Sequence, residues 1–179
     1  MRSKSEDVVF RSYETYQDEP DEWDWMINGG DFGLDDPSTL IKVKKNGNNI
    51  YLKELYWVHH ASNEELAELF HKLGEEENIS VMDSAEKKSI KRLQTLGVYA
   101  VPARKGSDSI HYGIKEMLKY KIHIHKHSSN LIDEFNSYKW KRMVNGEFVR
   151  NSFGHKVPID RFNHGIDAVR YAVTYMTHE

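Results

Sequence analysis

A mixed α/β domain, its sheet covered by helices on both faces, is predicted by three observations. Short apolar runs at 25–27, 39–43 and 50–58 follow one another with only turns between them, the pattern of an antiparallel meander. Beyond residue 60, helical faces with start and stop signals alternate with short buried runs. At 179 residues the chain suits one domain with a sizeable core, and a second full domain is not expected.

The elements are justified in order. Residues 1–24 are polar and turn acidic (Glu14, Asp18, Glu19, Asp21, Glu22, Asp24), with Pro20 as a breaker, and read as an arm or linker leading into a domain at 25–179. Residues 25–27 read as a buried strand, and Gly29-Gly30 lets the backbone bend so that Asp31 emerges at a sheet edge. Thr39, Ile41 and Val43 alternate with polar residues, Asn46-Gly47 marks a tight turn, and extended structure resumes from Ile50 to Val58. Ser62-Asn63-Glu64-Glu65 is a capping box, Leu66, Leu69, Phe70 and Leu73 form one helical face, and Gly74 closes the helix. A strand at 79–82 ends at Asp83, a helix spans 84–96 up to Gly97, and another strand follows at 98–101.

The basic, glycine-containing loop 103–108 feeds a helix with Ile110, Ile114, Met117 and Leu118 on its apolar side. Residues 121–125 read as a strand at the sheet edge. Ser129 or Asn130 then caps a helix carrying Leu131, Ile132, Phe135 and Tyr138. Residues 140–149, turning at Asn145-Gly146, read as a basic β-hairpin with Lys139, Lys141, Arg142 and Arg150, followed by a loose loop through 152–155. The last helix begins near Asn163 with Ile166, Val169, Val173 and Met176 as its buried stripe.

Composition excludes some chemistry. There is no cysteine, hence no disulfide and no thiolate metal site. No apolar run approaches the roughly 20 residues that span a bilayer, and the start is not signal-like, so a soluble, intracellular protein that is not secreted and does not contact membrane is expected. Residues 1–80 hold 8 Lys plus Arg against 18 Asp plus Glu, a net −10, and residues 81–179 hold 17 against 10, a net +7. Such asymmetry hints at a polyanion-binding surface, although charge runs are as a rule solvated faces.

Three acids stand in comparable settings. Asp31 and Asp83 each follow an apolar run, and Asp167 lies near the start of the last helix, three residues after His164 and seven after the reserve acid Asp160. Taken singly, an Asp after a strand is a turn former or a helix cap, and His164 with Asp167 is an exposed helical pair. His123, His125 and His127 alternate and invite a zinc reading, discounted because an edge strand exposes them and no acid or thiolate at fitting spacing joins them. Lys87, Lys88, Lys91 and Arg92 read as a solvated helix face.

Asp31-Phe32-Gly33 with Asp36-Pro37-Ser38-Thr39, then 83–90, then Val101-Pro102-Ala103-Arg104-Lys105-Gly106, and finally 163–172 together resemble the nuclease domain of tailed-phage large terminase subunits. The resemblance spans roughly residues 25–176 and keeps the family's order. It implies a ribonuclease H-like fold, with an added hairpin, and an endonuclease that cuts concatemeric viral double-stranded DNA during genome packaging. It makes Asp31 a ligand shared by two divalent cations, Mg2+ with Mn2+ as a substitute, and gives one each to Asp83 and Asp167. Three carboxylates are hard oxygen donors suited to two cations about 4 Å apart. For His164 it leaves three roles open: orienting a carboxylate, approaching a metal, or meeting the scissile phosphate.

Arg104, Lys105, Lys139, Lys141 and Arg142 are the candidates for backbone phosphate contact. Large terminases carry an ATPase motor ahead of the nuclease. No G-x-x-x-x-G-K-[ST] loop occurs here, so a C-terminal domain with 1–24 as interdomain linker is expected. The implied partners are that ATPase domain, the small terminase subunit and the portal, and the implied setting is the host cytoplasm at the procapsid. Two rival readings share parts of this pattern: another ribonuclease H-like nuclease of resolvase or transposase type, and a non-catalytic DNA-binding or docking module.

Overall fold

The computed structural model describes residues 6–177 as seven strands and five helices in one mixed sheet. The strands are β1 (Glu14–Tyr16), β2 (Trp25–Asp31), β3 (Ser38–Asn46), β4 (Asn49–Val58), β5 (Ser80–Met82), β6 (Ala100–Pro102) and β7 (Lys121–His125). The helices are α1 (Asn63–Leu73), α2 (Lys87–Thr95), α3 (Ser109–Met117), α4 (Ser129–Ser137) and α5 (His164–Thr177). The sheet order is β1-β7-β4-β3-β2-β5-β6, in which β3 alone runs against the others.

The expected meander is β2, β3 and β4, and its register places Asp31 opposite Thr39. Two apolar layers cover the sheet. Leu66, Phe70, Ile90 and Leu93 of α1 and α2 pack with Leu40 and Met82 on one face, while Ile114, Leu131, Phe135, Ile166 and Val169 of α3, α4 and α5 pack with Ile27, Ile41 and Val43 on the other. Both cores bury large aliphatic side chains, which supplies the main stabilisation. The capping box holds as expected: Glu65 N–H donates to Ser62 Oγ at 3.1 Å, and Gly74 ends α1 in the left-handed region at φ 69°. No helix among the described residues is long and apolar enough to cross a membrane.

Several expectations need correction. The described part of residues 1–24 does not stand clear as an arm: β1 pairs with β7, Val9 and Phe10 are in the core, and Val8 bridges to Lys139. That makes β1 the edge strand and moves β7 inward, so His123 is buried, stacked on Tyr51 at 4.4 Å and hydrogen-bonded to Asn49 Oδ1 at 2.9 Å. It is a packed imidazole, for a reason other than the exposure that counted against a zinc site. Helix α2 starts at Lys87, later than 84, because residues 83–86 form a turn in which Ala85 N–H donates to Asp83 Oδ1 at 3.0 Å. The core side of α3 is Gly113, Ile114 and Met117, with Ile110 44% and Leu118 52% exposed.

The segment 139–159 is an ordered arm of two successive turns. Arg142 bridges Phe148 and Arg150 bridges Lys156, with Trp140 returning to Pro158. Residues 152–155 are therefore no loose loop: Asn151 N–H donates to His155 O at 2.9 Å and Gly154 N–H to Asn151 O at 3.0 Å.

Candidate active site

Strand polarity assembles the three acids. Parallel pairing of β2 with β5 sets Gly30 beside Met82, so Asp31 and Asp83 emerge side by side at the C-terminal ends of two interior strands, not at an edge of the sheet as expected. Helix α5 crosses β2 closely enough that a Cβ on Gly29 would sit 1.8 Å from Ala168 O, and one on Gly30 would sit 2.5 Å from Met82 Sδ. Gly29 is thus required by the close packing of α5 on the sheet, while at Gly30 the neighbour is the flexible end of Met82; neither position serves a bend, since neither has a left-handed φ. Asp167, next to Ala168, arrives over the ends of β2 and β5.

The electrostatics report the convergence. Burial, then the charges of Asp167 and Asp83, push the Asp31 carboxyl up to about 8, against a smaller lowering from Phe32 N–H, which donates to Oδ1 at 3.1 Å, and from Arg170. Asp167 is raised by burial and lowered in part by Arg170, whose Nη2 lies 3.3 Å from Oδ1, and by His164. The hydroxyls of Tyr56 and Tyr171 are held protonated by burial and the charge of Asp31. The acids do not gather as tightly as ligands of one ion: among the described residues, the one group of three or more whose ligand atoms all lie within 4.8 Å is elsewhere.

The family described as Terminase RNAseH like domain matches residues 31–175. The chain belongs to that family. The nuclease domain of the large terminase g2p of bacteriophage SPP1, solved with bound Mn, is 25% identical and aligns over 95% of this chain and 99% of its own, with a TM-score of 0.78. The large terminase of the thermophilic bacteriophage D6E is 18% identical over 97% of this chain but only 46% of its own, TM-score 0.74. The large terminase nuclease of thermophilic phage G20c, solved with bound cobalt, is 17% identical over 97% and 98%, TM-score 0.63. The last two speak for the ribonuclease H-like fold alone, and no curated protein matches the chain.

In this terminase RNase H-like domain the remaining predicted residues fall into two groups. Lys105, His164 and Asp160 stand around the acids, with Arg104 beside Lys105. Lys105 Nζ is 2.6 Å from Asp83 Oδ1 and 5.7 Å from the Tyr171 ring, while Arg104 lies over Tyr175 at 4.5 Å. His164 Nε2 is 3.8 Å from Asp36 Oδ1, its carbonyl accepts from Thr39 Oγ1 at 3.2 Å, and exposed Asp160 adds to the negative charge felt by Asp167. Lys139, Lys141 and Arg142 lie apart, on the arm. Lys139 and Lys141 are exposed, whereas Arg142 is engaged by Asp7 at 2.6 Å and stacks on Phe148 at 4.0 Å.

Glu134 is a site residue that local patterning does not reveal. It is buried in α4, and its carboxylate accepts from the N–H groups of His164, Gly165 and Ile166 at 2.9, 2.8 and 3.1 Å, capping the helix that carries Asp167. Burial raises its carboxyl to about 7, against the pull of those three N–H groups. The only local signal was an acid on an otherwise apolar helical face; its target lies 30 residues on.

Proposed function

We propose that this domain is a divalent-cation-dependent endodeoxyribonuclease that cuts concatemeric viral double-stranded DNA during genome packaging, with little sequence preference. The observation that carries the reading is the convergence of Asp31, Asp83 and Asp167 at the C-terminal ends of β2 and β5, where burial and mutual repulsion raise Asp31 to about 8. The donor set fits two hard cations, Mg2+ with Mn2+ as a substitute: three carboxylates, of which Asp31 would face both ions and Asp83 and Asp167 one each. When bound, the cations supply an activated water and stabilise the leaving oxygen.

The chain's own residues prepare that centre. Arg170 Nη2 contacts Asp167 Oδ1 at 3.3 Å, and Glu134 caps the start of the helix that carries it. Lys105 compensates Asp83 in the cation-free domain, and on release its ammonium is available to a phosphate. His164 faces the same opening and can orient a carboxylate or meet the scissile phosphate. Arg104, Lys105, Lys139 and Lys141 would hold the duplex through its backbone, so affinity falls steeply with salt; Arg142 would contribute less while Asp7 holds it. The protein would act at the procapsid in the host cytoplasm, joined to an ATPase domain and meeting the small terminase subunit and portal. The chain's span of 46% of the D6E large terminase leaves length there for such a domain.

The test is cleavage of supercoiled plasmid with Mn2+, Mg2+ or EDTA, beside folded Asp31→Asn and Asp167→Asn variants. Metal-dependent nicking and linearisation, lost in both variants, is the expected result. Cleavage that survives in EDTA or in either variant overturns the assignment.

A further inference from the structure

Away from the acidic centre, Asp108, His111 and His155 each bring one ligand atom within 4.8 Å of the others, the one such group among the described residues. Asp108 and His111 stand at the start of α3, and His155 comes from the 139–159 arm, so the group joins two segments that are remote in sequence. The Asp108 side chain is only 4% exposed, with Oδ1 accepting from Asn151 Nδ2 at 2.7 Å and Oδ2 turned to His155 Nδ1. The carbonyl oxygen of the same Asn151 side chain accepts from the N–H groups of Phe153 and His155 at 2.9 and 3.1 Å. One amide therefore orients the carboxylate and the loop that presents His155, which is what partners behind a metal ligand do.

His111 stacks on His155 with ring centroids 3.5 Å apart and planes 4° from parallel. His155 lies in the partly exposed arm, and with all three ligand atoms already within 4.8 Å of one another, a rotation of its ring away from the stack is the one adjustment an ion between them would require. Two imidazoles and a carboxylate are a donor set for Zn2+ or Co2+, with a fourth position left to water. The same set is poor for Mg2+, which prefers oxygen ligands and keeps its waters.

We propose that Asp108, His111 and His155 form a second cation site, of zinc type, that pins the 139–159 arm to the start of α3. Its position has a structural consequence. Loop 103–108 would be held at both ends, by Lys105 on Asp83 and by Asp108 on the ion, so that the arm, the basic loop and the acidic centre keep one relative geometry. The site shares no residue with the three acids, and the inference does not rest on the nuclease reading.

The test uses the metal-free full chain carrying Asp31→Asn and Asp167→Asn, which silence the acidic centre, in millimolar Mg2+. Calorimetric titration with Zn2+ is expected to show one equivalent bound, abolished in added His111→Gln and in added His155→Gln. Asn151→Ala, which leaves all three ligands, is expected to weaken binding about 10- to 100-fold. Zinc is also expected to protect residues 139–159 from limited proteolysis, and only when both histidines are present. Unfolding curves without zinc establish that each variant folds. Absence of zinc binding, displacement by Mg2+, or unchanged binding in both folded histidine variants overturns the proposal.

Discussion

At the residue scale, Asp31 makes the domain's stability depend on pH in a direction that can be worked out. Its folded carboxyl titrates at about 8 against an ordinary value of 3.8, because burial and the neighbouring acids disfavour its charge. A raised folded value means the stabilisation is complete below about 4 and is lost as pH rises toward 8. At about 1.36 kcal/mol per unit the ceiling on that loss is about 6 kcal/mol. In EDTA, the melting temperature of the wild-type domain should therefore fall between pH 5 and pH 8. Asp31→Asn should be the more stable protein at pH 8 by several degrees, with the gain shrinking toward pH 4. Mn2+ should reverse the order of the two at pH 8, since it stabilises only the protein that retains the ligand. Thermal melts across pH, with and without metal, decide it, and an Asn variant no more stable than wild type in EDTA at pH 8 removes the argument.

At the scale of elements, α5 shows what was legible beforehand and what was not. Its apolar stripe and its His164, Asp167 spacing were readable because helical period and motif are both local. The strand ends at Asp31 and Asp83 were readable for the same reason. Its cap was not, because Glu134 reaches it from another helix across a tertiary contact. The arm divides likewise: Asn145-Gly146 announces a turn, but the second turn depends on the Asn151 side chain folding back on His155 and Asp108. Glu134→Ala strips the acceptor from three N–H groups and should cost about 1–3 kcal/mol by denaturant unfolding at pH 8. Because those groups begin the helix that carries Asp167, cleavage should fall as well, with KM for DNA little changed. A variant as stable and active as wild type would mean that α5 holds its position without this cap.

At the scale of the whole molecule, the acidic N-terminal segment had every local mark of a linker: charge, a proline, and no hydrophobic period long enough to score. Its three-residue strand is stable only because β7 is there to pair with, and Val9 and Phe10 matter only because α4 and the arm enclose them. Phe10 is 2% exposed, with its ring 4.9 Å from that of Phe135 and 6.3 Å from that of Tyr138. Arg142 adds a polar tie from the arm to Asp7. The segment therefore completes the sheet edge farthest from β6 and anchors the arm beside it. Phe10→Ala separates the two descriptions. A segment standing clear of the domain would tolerate the change within about 0.5 kcal/mol, whereas loss of a core aromatic should cost about 3–5 kcal/mol and lower the melting temperature accordingly. Arg142→Ala, which cuts the tie and leaves the core intact, should cost no more than about 1 kcal/mol, while limited proteolysis of the arm speeds up. If Phe10→Ala melted like wild type, the segment would not be part of the folding unit.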